Sequence, residues 1–417
     1  MTAALAATWS LLIGLVLIMV AHGLQSTLLG VRAGLEGFDE TVTGVIMAGY
    51  YVGFLVGSLV TPLMVKRVGH VRVFAAVASL ASVAVLAHSV LVEPVSWTAM
   101  RVTTGFCIAA LYIVAESWLN DRATNETRGQ VLAIYMIVLM LGMAAGQYLL
   151  PLSDPSGFVL FILVSVLLSI SLVPMLLSAS PAPYFDAPQP VSLRVLYVTS
   201  PLAVVGAGLL GVAQGVLLGM SAVYAVSAGL IGAEVSIFVS AFMIGGVLLQ
   251  FPIGRLSDRF DRRLVMTAVT LAAAGVALFA WWFGSVDRWL LFLLAALFGG
   301  CCLSMYALVL SHANDHLERE QMVAASSTLY LVYSAGGILG PPLAGAAMGL
   351  MGPDGFFATV ALLHLLLGVF ALYRMTRRPA IPLEEQGAWV AVPQSSTSVA
   401  AAMAADEYAE SQAQRES

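Results

Sequence analysis

LYIVAESWLND (111–121) returns as MYALVLSHAND (305–315), 194 residues later. The match pairs Tyr112 with Tyr306, Ser117 with Ser311, Asn120 with Asn314 and Asp121 with Asp315. The same offset pairs Gly142 with Gly336 and Gly146 with Gly340. At an offset of 189, HGLQSTLLG (22–30) meets GVAQGVLLG (211–219) and aligns Gln25 with Gln214. At 192, PLMVKRVG (62–69) meets GRLSDRFD (254–261). One such match could be chance. Several, in the same order and at nearly one offset, mean an internal duplication.

The duplicated unit is apolar. The chain has 417 residues, 60% hydrophobic and only 10% charged, where a soluble domain carries roughly 25% charged residues. Scanning for runs of roughly 20 mostly apolar residues gives twelve membrane spans, at about 8–31, 41–65, 72–92, 96–119, 129–150, 156–178, 199–227, 234–255, 264–284, 288–310, 322–347 and 354–374. The first is read as a retained span, because MTAALAATWS has no basic n-region. The proline-rich stretch SASPAPYFDAPQP separates spans six and seven and reads as a linker. The expected fold is therefore an all-α polytopic membrane protein, with twelve transmembrane helices in two pseudo-symmetric bundles of six. Its expected divisions are an N-terminal bundle at 1–178, a cytoplasmic linker at 179–198, a C-terminal bundle at 199–375 and a disordered cytoplasmic tail at 376–417.

Charge sets the orientation. With the N-terminus inside, fifteen of the 18 Lys and Arg fall in cytoplasmic segments, and only Arg32 and Arg288 fall in outer loops. The positive-inside rule then places both termini in the cytoplasm, at the inner (plasma) membrane. Several function classes drop out. The net charge of −5 does not suggest a nucleic-acid partner. The single lysine, Lys66, stands in no phosphate-binding loop, so no ATP site is expected. Cys107, Cys301 and Cys302 lie in apolar runs and read as small hydrophobes, not as a metal site. No cofactor and no catalytic constellation are expected, so the chain is not read as an enzyme.

GRLSDRFDRR (254–263) resembles the signature loop of the major facilitator superfamily, Gly-x-x-x-Asp-[Arg/Lys]-x-Gly-[Arg/Lys]-[Arg/Lys], with Asp261 in place of the second glycine. The first-half copy is more worn: Pro62 replaces the glycine and Lys66 the acid, while Arg67 and Gly69 remain. RVTTGFCIAA (101–110) is similar to the fourth-helix pattern of that superfamily, and GGILGPPLAG (336–345) to its antiporter-type motif, though in span eleven instead of five. The stretch 101–149 most resembles the bacterial YcaD-like branch. The resemblance implies a central cavity lined by spans one, four, seven and ten. It also implies a cytoplasmic gate built from the signature loops. Gly254, Asp258, Arg259 and Arg263 match the second loop. Arg67, Glu116 and Arg128 are the expected counterpart cluster in the first half, with a basic partner for Glu116.

Within the spans, His22, Gln25 and Ser26 share one helix face. Polar residues inside a membrane usually face the bundle interior or a wet cavity. Arg101 stands in span four, and Glu116 is about 22 Å of helix away, too far to neutralise it. Arg101 either snorkels outward or bonds to carbonyls, polar side chains, water or an anionic solute. Substrate binding is therefore expected at His22, Gln25, Ser26, Arg101, Tyr112, Gln214 and Tyr306, set against plain interhelical hydrogen bonding. His22 is the proton-coupling candidate, set against a satisfied core histidine. The expectation is a monomeric secondary transporter of a small organic solute, working by alternating access in the lipid bilayer. Proton-coupled efflux of amphipathic or anionic compounds leads. Uptake of a metabolite by proton symport and a non-transporting sensor or scaffold are the alternatives.

Overall fold

A computed structural model of the chain describes residues 2–124, 127–177, 191–392 and 397–416. Every regular element among them is helical. The first half contains α1 (Thr2–Leu35), α2 (Glu40–Val68), α3 (His70–Val90), α4 (Pro94–Arg122), α5 (Arg128–Gln147) and α6 (Val159–Leu176). A short helix, α7 (Leu193–Thr199), leads into α8 (Pro201–Ser227), α9 (Ala233–Ser257), α10 (Arg262–Phe283), α11 (Arg288–Asn314), α12 (Arg319–Met351) and α13 (Gly355–Met375). A last helix, α14 (Ser398–Glu416), follows.

The helix ends follow local chemistry. Asp39 caps α2 by accepting from the Thr41 and Val42 N–H groups at 2.8 and 3.4 Å, which satisfies donors that a helix start leaves open. Asp287 does the same for α11 through Leu290 N–H at 2.8 Å. Gly69, at φ 87, makes the turn between α2 and α3 that a side chain would resist. Pro94 and Pro201 begin α4 and α8, where a missing N–H costs nothing.

Eleven segments among the described residues are long and apolar enough to cross a membrane. The last of these, Glu320–Met375, spans 56 residues and contains both α12 and α13, so the twelve expected spans are all present as helices. Large apolar side chains such as Leu248 and Val83 are exposed on the outside, as expected where lipid is the solvent. Long small-residue lines let helices touch: α2 packs on α4, α8 on α12 and α9 on α11. The halves meet along α2 with α12, α5 with α9 and α1 with α8.

The tail departs from expectation. Residues 398–416 are helical, not disordered. The reason lies in the run SVAAAMAA (398–405): alanine is the best helix former, because it loses no side-chain entropy. Its small side chains also fit a confined space. Ala400, Ala401, Ala404 and Ala405 are each at most 2% exposed, because α14 packs against α12, α4, α5 and α11. We call this end of the bundle the tail end and the opposite one the far end. Of the expected linker, residues 179–190 lie outside the described residues; 193–199 form α7.

Candidate solute site and its two closures

A cavity sits between the halves. His22 of α1 and Tyr50, Tyr51 and Phe54 of α2 form one wall; Gln214 of α8 and Tyr330 and Tyr333 of α12 form the other. The wall is thus drawn from α1, α2, α8 and α12, whereas spans one, four, seven and ten were expected. The correction has a geometric cause. Tyr112 of α4 stands behind Phe54, ring centroids 6.0 Å apart, and Tyr306 of α11 stands behind Tyr333 at 4.6 Å. The duplicated tyrosines form a second row, and α2 and α12 come between them and the space.

Several polar atoms buried in the spans have no hydrogen-bond partner among the described residues. Among the described residues, no hydrogen bond reaches His22 Nδ1, Gln25 Nε2, Arg101 Nε and Nη1, Gln214 Oε1 or Tyr306 Oη. A buried polar atom left unsatisfied costs about 1–3 kcal/mol. Two of these atoms, His22 Nδ1 and Gln214 Oε1, come one from each half and belong to residues that line the cavity, where they call for water or a ligand.

Arg101 does not snorkel. It is 2% exposed, and its guanidinium lies 4.7 Å from the centre of the Tyr50 ring. His22 stacks on the same ring at 5.2 Å. A desolvated cation over an aromatic face gains about 2 kcal/mol or more, which offsets part of the burial cost without supplying a counter-charge. Arg101 itself is not on the cavity surface; Tyr50 stands between. Ser26 is not a cavity group either. Its hydroxyl donates to the Leu218 carbonyl at 3.1 Å and ties α1 to α8. The other polar residue of that turn, Thr27, bonds Gln147.

The far end is closed by backbone contact. A Cβ on Gly44 of α2 would collide with the Pro341 carbonyl oxygen of α12, and one on Gly345 would lie 2.5 Å from the Glu40 carbonyl oxygen. No side chain larger than hydrogen fits at either point. Ser227 Oγ donates to Glu40 at 3.1 Å, and Tyr51 Oη to the Gln214 carbonyl at 3.3 Å, both across the halves.

The tail end is closed by α14. Glu116, fully buried on α4, accepts the N–H of Thr397 at 3.0 Å and of Ala400 at 3.1 Å. It also accepts the Thr397 hydroxyl and the Tyr135 hydroxyl, the latter at 2.6 Å. A carboxylate here satisfies open N–H donors at the positive end of α14. Glu116 was expected to hold a basic partner with Arg67 and Arg128. It holds O–H and N–H donors instead, while Arg128 pairs with Glu410 at 2.9 Å and Arg67 is exposed.

The second-half signature loop grips the segment before α14. Asp258 accepts the Trp389 N–H at 2.7 Å, and the Trp389 ring occupies the place that a Cβ on Gly254 would take. Arg262 and Arg263 of the loop are buried and Arg259 is not; Arg262 is the one that pairs outside the loop with Asp315. Arg262 pairs with Asp315 at 2.5 Å and donates to the Gly387 carbonyl at 2.8 Å. The Tyr408 hydroxyl completes the group by donating to Asp315. Arg263 instead pairs with Asp261 at 3.0 Å. Asp315 carried a signal in the sequence as the repeat partner of Asp121; Arg262 had none that separated it from its basic neighbours.

The model of the Major Facilitator Superfamily matches residues 1–230 and 203–404. The chain belongs to that superfamily. It is a family of transporters and not of enzymes. Within it, the chain is similar to the uncharacterized MFS-type transporter YcaD of Salmonella typhimurium, 28% identical over 367 residues, covering 86% of this chain and 94% of that one. The YcaD of Salmonella typhi matches to the same extent. Among solved structures, a point mutant of the nucleoside transporter NupG superposes with a TM-score of 0.74 at 15% identity, over 88% of this chain and 99% of that one. A bacterial homologue of the human lysosomal transporter Spinster, inward-facing and occupied, gives 0.69 at 14% identity, over 89% and 96%. These two share the fold. The chain is thus a multi-pass membrane transporter of this superfamily.

Proposed function

We propose that the protein carries a small organic solute across the inner (plasma) membrane by alternating access, with both termini cytoplasmic. The tail end then faces the cytoplasm. The observation that supports this reading is a cavity between two closures whose lining includes a residue with an unpartnered polar atom from each half, His22 and Gln214. A solute whose ring system stacks on Tyr50, Tyr51, Tyr330 and Tyr333 and whose polar groups meet Gln214 and His22 would satisfy it. An anionic group would also supply the counter-charge that Arg101 lacks, which favours amphipathic anions. His22, buried beside Arg101, is the group we assign to proton coupling. In this conformation α14 bars the cytoplasmic mouth, so exchange on that side requires the tail to leave. The orientation rests on the distribution of Lys and Arg.

The test is a ligand screen by thermal shift on wild type and Arg101→Ala, followed by flux into vesicles with and without residues 386–416. An anionic ligand is expected to stabilise wild type and to bind Arg101→Ala more than about tenfold more weakly, since 1.4 kcal/mol is a factor of ten. Flux is expected to be faster without the tail. Saturable binding without flux in either form would replace transport by sensing, with the docked tail as the signalling element.

A further inference from the structure

Outside the central cavity, a second hollow opens at the tail end of the second half. Ser200 at the start of α8, Arg263 at the start of α10, His312 and His316 at the end of α11, and Arg374 and Arg378 at the end of α13 line it. None of its lining residues is acidic. Basic side chains at helix C-termini complement the helix dipole, and that alone explains part of the cluster. It does not explain Ser200.

Ser200 occupies the N-cap position of a 27-residue helix, where a serine hydroxyl ordinarily accepts an N–H of the first turn. Here it makes no cap bond. The residue is 2% exposed, and its Oγ has no hydrogen-bond partner among the described residues. An unsatisfied buried hydroxyl thus looks into a hollow ringed by guanidinium groups. The guanidinium positions are held: Arg378 donates to the Thr199 carbonyl at 2.8 Å, and Arg263 donates to the Arg378 carbonyl at 2.7 Å. Asp261 neutralises Arg263, so Arg374 and Arg378 supply the excess positive charge.

The neighbouring helix indicates the source of a ligand. In α7, Leu196 is fully buried, while Leu193, Val195, Tyr197 and Val198 are between 48 and 74% exposed. A short helix with an exposed apolar face beside Arg194 fits the boundary between headgroups and acyl chains. It leads directly into Thr199 and Ser200.

We propose that this hollow binds a phosphate-bearing anion: the headgroup phosphate of an anionic phospholipid, its acyl chains lying against α7. Arg374 and Arg378 meet the phosphate oxygens, and the Ser200 hydroxyl donates to one of them. The site is separate from the solute cavity and needs no transport to be observed.

The experiment uses the full-length protein in nanodiscs of phosphatidylcholine, titrated with phosphatidylglycerol or, separately, inorganic phosphate. Retained lipid is counted by native mass spectrometry and stability is followed by thermal shift. Arg374→Gln, Ser200→Ala and the control Arg377→Gln, which lies outside the hollow, are compared with wild type. Phosphatidylglycerol is expected to bind preferentially. Its affinity should fall about fivefold in Arg374→Gln, from the loss of one charge near the surface, and about fivefold in Ser200→Ala, from the loss of one hydrogen bond. Arg377→Gln should leave it unchanged. Saturable binding of inorganic phosphate with the same sensitivity, and no preference among lipids, would keep the anion site and overturn the lipid source. Equal binding by wild type, Arg374→Gln and Ser200→Ala would overturn the site itself. Two variants at separate helices keep the test open if one fails to fold.

Discussion

The far end and the tail end of the cavity are closed in opposite ways. At the far end, α2 and α12 touch backbone to backbone through Gly44 and Gly345. The contact involves whole helices and opens only if the halves rotate. At the tail end, a separate segment is inserted, held by Glu116, Asp258, Arg262 and the Arg128–Glu410 pair. That closure can be removed without moving the halves at all. One chain therefore carries a closure made by its architecture and another made by an appended part.

The largest effect should come from breaking the far-end closure. Gly345→Leu forces a side chain into the Glu40 backbone, and such overpacking typically costs about 1–3 kcal/mol or more. Spin labels at the exposed Leu35 and Ile231 should move apart, while labels at Val68 and Leu256 should not.

Removing residues 386–416 should do the reverse: the far-end label distance stays, and the tail-side mouth opens. Labelling of the buried Cys302, with Cys107 and Cys301 replaced by serine, should then accelerate at least about tenfold. Unchanged labelling would mean the tail is not the closure. Glu116→Ala removes the cap of α14 together with the bonds from the Thr397 and Tyr135 hydroxyls, and loss of a cap alone costs about 0.5–2 kcal/mol. Tail release, followed by limited proteolysis near residue 397, should rise by an amount between the truncation and wild type.

Acidity should tighten the tail closure alone. Burial raises the Asp406 carboxyl above its ordinary value, with Arg128 opposing and Glu410 adding to the rise. Glu407 is raised as well, again chiefly by burial. The docked tail thus holds protons that the released tail gives up. This contribution is fully present below the ordinary carboxylate value and is lost as pH rises through the raised one. Release should increase with pH over that window, and Asp406→Asn should flatten the dependence. The smallest effect belongs to Arg128→Ala. A partly exposed ion pair contributes about 0–1 kcal/mol, so tail release should change by less than about fivefold.

The same contrast shows what could be read from the sequence. Span lengths, the duplication and the family were legible, because apolar runs and repeated motifs are local or self-referring. Arg101 and His22 stood out because polar groups in apolar runs are conspicuous. Tyr50, Tyr51, Tyr330 and Tyr333 did not, because an aromatic residue in a span looks the same whether it packs or lines a cavity. The tail was misread on its polar, acidic second half, which masked the alanine run before it. Glu116 was recognised as a buried acid in need of a partner. The partner was backbone N–H, which carries no side-chain signature, from a residue 281 positions away.

That separation has a consequence for how the protein is made. Glu116 enters the membrane with the fourth span, long before Thr397 is synthesised. Until then only the Tyr135 hydroxyl, from the following span, can reach its carboxylate among the bonds seen in the finished fold. The nascent first half is thus inserted with an acid exposed in its mouth, and the helix that shields it, α14, is synthesised some 280 residues later. A chain stalled or cleaved before α14 would hold every described span and lack the segment that covers Glu116: the seal is added after the spans.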